Sequence, residues 1–345
     1  MKLIKTEEAE GHILCHDITQ IIKGVTKDAV FRKGHVVQKE DIPVLLSVGK
    51  DHLYVWENDE TKLHEDDAAR VLLSLSADDE ESLIPGEVKE GKIELKAGYD
   101  GLFKVDSNKL RKLNSLGEMM IASRHGNTPV KKGDKLAGMR VIPLVIEKEK
   151  MERAKETCKG GAIFHLLPYR KRKCALITTG NEVFHHRIED TFSPVIEAKL
   201  AEFGCGISFR QTCPDDPQVI TEAIKKALDE RAELVICTGG MSVDPDDKTP
   251  LAIKNSGVRV VTYGAPVLPG AMLMLSYAEN GACVVGLPGC VMYARRTVFD
   301  LILPRIMADD AVSFEELAAL GEGGLCLGCE VCRYPDCSLG KTTAF

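Results

Sequence analysis

No run of the roughly 20 apolar residues that a membrane-spanning helix needs occurs in the 345 residues, so a membrane span is not expected. The first residues, Met1-Lys-Leu-Ile-Lys-Thr-Glu-Glu, turn acidic at once and lack an export-type apolar segment, which makes the cytoplasm the expected compartment. Positive charge is also in deficit: a net charge of -7 argues against a nucleic-acid partner, because phosphate contacts need clustered Lys and Arg. One basic run exists, Arg170-Lys171-Arg172-Lys173. It is either a solvated strand entrance or a device that draws in an anion. Cysteine is plentiful, with 12 residues, yet a disulfide framework is not expected in a long chain without an export signal. Cys174, Cys237 and Cys283 lie in apolar segments, where a thiol packs as a small core residue.

Composition otherwise suits a globular chain of two or three domains, with 44% hydrophobic and 28% charged residues. A small β-rich domain is expected over residues 1–57. In it Asp41-Ile-Pro-Val-Leu-Leu-Ser reads as a capped helix stopped by Gly49, and His52-Leu-Tyr-Val-Trp-Glu as a strand. Residues 58–67 read as a polar surface connector. An α+β domain is expected over 68–150, and a charged helix over 147–159. From Lys173 the pattern becomes strand, loop, helix, repeated. Ser193-Pro194 and Asp216-Pro217 read as helix starts, with Ser or Asp as N-cap and Pro at the first helical position. The alternation predicts an α/β domain over 170–310, with a mostly parallel sheet and helices on both faces. Such sheets bind ligands at the carboxyl ends of their strands.

Three strand ends carry small-residue loops: Thr178-Thr179-Gly180-Asn181-Glu182, Thr238-Gly239-Gly240-Met241-Ser242 and Gly286-Leu287-Pro288-Gly289. Glycine lets backbone N–H groups converge on an anion, Thr and Ser add hydroxyl donors, and a helix N-terminus behind the loop favours negative charge. A tight strand-to-helix turn would need glycine for its own reasons. Three such loops in succession favour the ligand reading. Asp244, Asp246 and Asp247 follow the second loop and suit a hard cation such as magnesium, which binds through one or two carboxylates plus substrate phosphates. The alternative is that Asp247 or Thr249 caps the helix at Thr249-Pro250.

In order, Thr-Gly-Asn-Glu, Asp215-Asp216-Pro, Thr238-Gly-Gly-Met-Ser, Pro269-Gly and Leu287-Pro-Gly resemble the molybdopterin molybdenumtransferase family, of the MoeA and gephyrin E-domain type. They also resemble the related MoaB/Mog domain. The resemblance implies a molybdopterin-binding fold that holds the pterin through Thr179, Gly180, Asn181, Thr238, Gly239, Gly240, Ser242, Pro288 and Gly289. It further implies that an adenylylated pterin is held while molybdate is inserted and AMP leaves. Glu182 and Asp247, with Asp244 and Asp246, would hold magnesium and assist that step. A homo-oligomer and a molybdoenzyme client are implied in the same way. Three positions depart from the family: Asn181 stands for an Asp, Ala271-Met272 replace Lys-Pro, and Cys290-Val291 replace Asn-Pro. The N-terminal Ser-x-Met-Asp-Gly-Tyr-Ala signature has no counterpart. These departures keep open a second reading, a non-catalytic carrier or sensor of the cofactor.

Residues 322–345 form a Cys-rich tail. Cys326, Cys329, Cys332 and Cys337 have the close spacing of thiolates that wrap one soft metal centre, either zinc or an iron–sulfur cluster. The spacing resembles a ferredoxin-like run, with Pro335 ahead of the last Cys.

Overall fold

A computed structural model describes residues 1–22, 26–56, 59–242, 244 and 247–342. The chain divides into two compact units. One holds Met1–Gly98, Val105–Arg124 and Gly133–His165, and the other Tyr99–Lys104, His125–Lys132 and Leu166–Phe345. The segments expected as separate domains, 1–57 and 68–150, thus fall largely within one unit.

In that first unit, an antiparallel sheet runs in the order Leu83–Pro85, Lys92–Ala97, Lys135–Val141, Met119–Ser123. Alternation puts Ile93, Leu95 and Ala97 inward, as period two requires. The helix Glu65–Ser76 covers this sheet with Ala68, Ala69 and Leu72. A smaller core gathers Leu14, Ile18, Val37, Leu45, Leu53 and Val55. The expected helix and strand of this segment form as Asp41–Ser47 and His52–Val55. The polar connector is corrected: Lys62–His64 is a strand paired with Val145–Glu147, and His64 caps the following helix by accepting from the Asp66 N–H. Alternation too short to stand out among charged residues hid that strand.

In the second unit, six strands lie in the order Ile207–Cys213, Cys174–Thr179, Leu234–Thr238, Cys283–Leu287, Met274–Tyr277, Arg259–Tyr263. The first four are mutually parallel, and the last two join antiparallel. The three central parallel strands are buried along their whole length, which is why they read as continuous apolar runs. Their successive residues feed two cores. Cys174, Leu176, Leu234, Ile236 and Val285 meet the helices Phe192–Ala201 and Val298–Met307 through Ile196, Leu200, Phe299 and Ile302. Ala175, Ile177, Val235, Cys237 and Val284 meet Pro217–Asp229 and Thr249–Asn255 through Ile220, Ile224, Ala252 and Ile253. Each fully buried Leu or Ile contributes roughly 1.5–3 kcal/mol, so these two faces dominate the unit's stability.

Asp216 caps its helix as expected, accepting from the N–H groups of Gln218 and Val219. The other helix start is corrected. Ser193 lies inside the helix, which begins at Phe192, and Asp190 takes the capping role by accepting from the N–H groups of Phe192 (2.9 Å) and Ser193 (3.0 Å). The carboxylate reaches further than a cap hydroxyl and captures the turn from upstream.

Candidate functional site

The parallel register places Thr178 beside Thr238 and Thr238 beside Leu287. The three small-residue loops therefore leave the sheet side by side at its carboxyl end. Two of them touch. The Thr179 and Thr249 hydroxyls lie 3.0 Å apart, and Thr249 donates to the Gly239 carbonyl at 2.9 Å. Gly239 has φ +88°, and a Cβ there would lie 2.1 Å from the Thr179 carbonyl oxygen. Gly240 has φ +55°, and its Cβ would lie 2.8 Å from the Thr249 hydroxyl oxygen. No other residue lets the two loops approach this closely without strain. The Thr238 hydroxyl is buried and has no hydrogen-bond partner among the described residues.

The first loop is locked to its neighbour. The Asn181 N–H donates to the Asp215 carboxylate at 2.8 Å, and the Asp215 N–H donates to the Asn181 amide oxygen at 3.2 Å. Asn181 thus bonds a carboxylate without adding a second negative charge. Glu182 is exposed on the single helical turn Asn181–Phe184. So short a turn, and the seven-residue helix at Thr249, supply less helix dipole than the sequence pattern suggested. Asp190, which sequence reasoning missed, accepts from the Thr178 hydroxyl at 3.2 Å. Burial pushes its carboxyl up, but hydrogen bonds from Ser193, Phe192 and Thr178 outweigh this and leave it below its ordinary value. An acid just ahead of a helix start is the signal that could have found it.

Asp244 is exposed, Asp247 is half-buried, and the Asp247 N–H donates to the Asp244 carbonyl at 2.9 Å. Asp246 lies outside the described residues. Asp247 does not cap the next helix, whose N-cap position is Lys248, with no side-chain capping hydrogen bond. Tyr263, on the edge strand, reaches the loop: its hydroxyl donates to the carbonyls of Met241 and Ser242, each at 3.3 Å. Burial and the nearby Asp247 push its phenol up. Nothing in the sequence around Tyr263 signals this contact, because it depends on the antiparallel return of the edge strand. Among the described residues, no group of three or more His, Cys, Asp or Glu side chains is arranged to hold a metal ion. This donor set fits magnesium only in the mode where one or two carboxylates act together with ligand phosphates.

Pro288 is buried and Gly289 exposed at the start of a short turn that runs to Met292. A Cβ at Gly270 would lie 2.5 Å from the Val298 Cγ1, and the Val298 N–H donates to the Pro269 carbonyl at 3.1 Å. The basic run lies at the opposite, amino end of the sheet. Arg170 and Arg172 both pair with Asp309, and Lys173 donates to the Glu230 carbonyl at 2.6 Å. It is a strand entrance held by acids, remote from the glycine loops.

Comparison with known proteins bears on this arrangement. Residues 175–308 match the family model "Probable molybdopterin binding domain", and residues 3–57 match a domain of unknown function. A molybdopterin molybdenumtransferase of Staphylococcus epidermidis is 30% identical over 127 residues, covering 35% of this chain and 30% of that protein. A CinA-like protein of Thermosipho melanesiensis is 36% identical over 85 residues, covering 25% of this chain and 21% of that protein. The chain thus spans about a third or less of the length of these two curated relatives. The crystal structure of the molybdopterin biosynthesis enzyme MoaB from Thermus thermophilus aligns at 18% identity over 41% of this chain and 99% of that one, with a TM-score of 0.34. The match of residues 175–308, together with the stretch shared with the staphylococcal transferase, makes this segment similar to a probable molybdopterin-binding domain.

Proposed function

We propose that the second unit binds adenylylated molybdopterin at the carboxyl end of its sheet and promotes molybdate insertion with release of AMP. One observation carries this reading: three loops of the resembling motif emerge side by side, two of them in contact through glycines that admit no side chain. Backbone N–H groups of Gly239 and Gly240 would face the pterin and its phosphate, with the hydroxyls of Thr179 and Ser242 beside them. Glu182 and Asp247 would share magnesium with the ligand's phosphates, and Asp244 and Asp246 would add negative charge nearby. Magnesium, when bound, would neutralise charge on the departing AMP. Cytoplasmic residence, a homo-oligomer and a molybdoenzyme that receives the product belong to the same proposal.

The reciprocal bonds of Asn181 and Asp215 favour a second reading, a carrier that holds the pterin without turnover, because they occupy the position of the family's carboxylate. Incubation of the anaerobically purified protein with adenylylated molybdopterin, magnesium and molybdate separates the two. Molybdate-dependent AMP release supports insertion. Pterin bound without AMP release supports the carrier, and no pterin binding ends both readings.

A further inference from the structure

The Cys-rich tail is anchored at both ends and in the middle. The Leu268 N–H donates to the Gly324 carbonyl at 2.9 Å, and the Cys326 N–H donates back to the Leu268 carbonyl at 2.8 Å. The Gly340 N–H donates to the Gly323 carbonyl at 2.9 Å, which closes residues 323–340 into a loop. Within it Tyr334 donates its hydroxyl to the Asp300 carbonyl at 2.8 Å and lies under the Arg296 guanidinium, 5.0 Å from the ring centre. Leu339 is buried in the unit's core.

Fixed in this way, Cys326, Cys329, Cys332 and Cys337 all line one cavity of about 410 Å³. Cys326 and Cys337 pack on the core side, whereas Cys329 and Cys332 are exposed at the rim. Three arginines, Arg295, Arg296 and Arg333, share the wall. Four thiolates around a metal core carry net negative charge, and guanidinium groups on the wall offset it in part, Arg296 being already paired with Asp300. A single zinc ion requires all four sulfurs within about 2.3 Å of one point. Among the described residues no group of three or more His, Cys, Asp or Glu side chains is placed to hold a metal ion, so metal binding would have to draw the four thiols together from their places on the cavity wall. An iron–sulfide core spans more of the cavity than a single ion does, because each thiolate binds a different iron. The C-x2-C-x2-C run wraps one side, and Cys337 approaches from beyond the Tyr334 anchor.

We propose that this loop holds a 4Fe–4S cluster, one iron on each of Cys326, Cys329, Cys332 and Cys337. Ligation exchanges four S–H bonds for four Fe–S bonds and releases four protons. Two ferrous ions, two ferric ions and four sulfides supply the core without any change of oxidation state. The proposal is independent of pterin binding, since it uses no residue of the glycine loops.

The test is anaerobic reconstitution of the full chain with equal ferrous and ferric iron and sulfide, followed by desalting and analysis. About four irons and as many labile sulfides per chain are expected, with a broad visible absorption that dithionite bleaches. The double variant Cys329→Ser/Cys332→Ser changes only exposed side chains, so it should melt like the parent while losing the visible band and most of its iron. Cys290→Ser, outside the tail, should keep both. One zinc per chain without labile sulfide after anaerobic purification and reconstitution would overturn the proposal. So would a folded double variant that retains its full iron.

Discussion

The two ends of the six-stranded sheet are built from opposite materials. At the amino end, Arg170, Arg172 and Lys173 meet Asp309, Glu233 and a helix carbonyl, so charge serves to join strand to helix. At the carboxyl end, glycine and threonine dominate, the Thr238 hydroxyl is unpartnered among the described residues, and backbone comes close to backbone. In this fold the cluster of basic residues joins strand to helix through its acidic partners. Backbone N–H groups held open by glycine, by contrast, present partial positive charge without a counterion to displace.

The contrast predicts how far each end tolerates change. Gly240→Val should have the largest effect, lowering molybdopterin affinity by at least a hundredfold, roughly 2.7 kcal/mol, with the fold retained. Unchanged affinity by fluorescence titration would remove this loop from the site. Asp190→Ala should come next, costing about 1–2 kcal/mol in denaturant unfolding through the lost helix cap. Its pH dependence has a definite sign. The folded carboxyl titrates below its ordinary value of 3.8, so its stabilisation is present above that value and is lost as pH falls through the folded pKa. Acid unfolding of Asp190→Asn should lack this component.

Thr238→Val should raise the stability of the ligand-free protein by about 1 kcal/mol, since a buried hydroxyl without a partner costs free energy. If the ligand uses that hydroxyl, affinity should drop in the same variant. A gain in stability with unchanged affinity would assign Thr238 to the core alone. Asp309→Asn should have the smallest effect, under about 1 kcal/mol, because Asp309 is 42% exposed and its pairs are screened by solvent. Pterin affinity should not move. A loss of affinity in Asp309→Asn would break the distinction between the two ends.

Much of the second unit could be read directly. Continuous apolar strands separated by capped helices announced a parallel core, and Asp216-Pro217 marked its helix to the residue. The three glycine loops were legible because each follows its strand at once. Less was visible where a role depends on a distant partner. Asp190 was hidden because a Ser-Pro pair three residues on matched the local capping pattern better, and only the fold brings Thr178 to its carboxylate. The contacts of Asp215 and Tyr263 were missed for the same reason, as they bridge 34 and 21 or 22 residues.

By itself the sequence determined the periodicity of burial, the order of strands and helices along the chain, and the residue types at each loop, because these follow from local sterics and solvent transfer. The tertiary structure decided which loops stand together, that the first loop's asparagine is bound to Asp215, and that four spaced cysteines line one cavity. Those outcomes depend on sheet order and on the docking of residues 323–340 against Leu268 and Asp300, contacts between segments whose pairing no local pattern encodes.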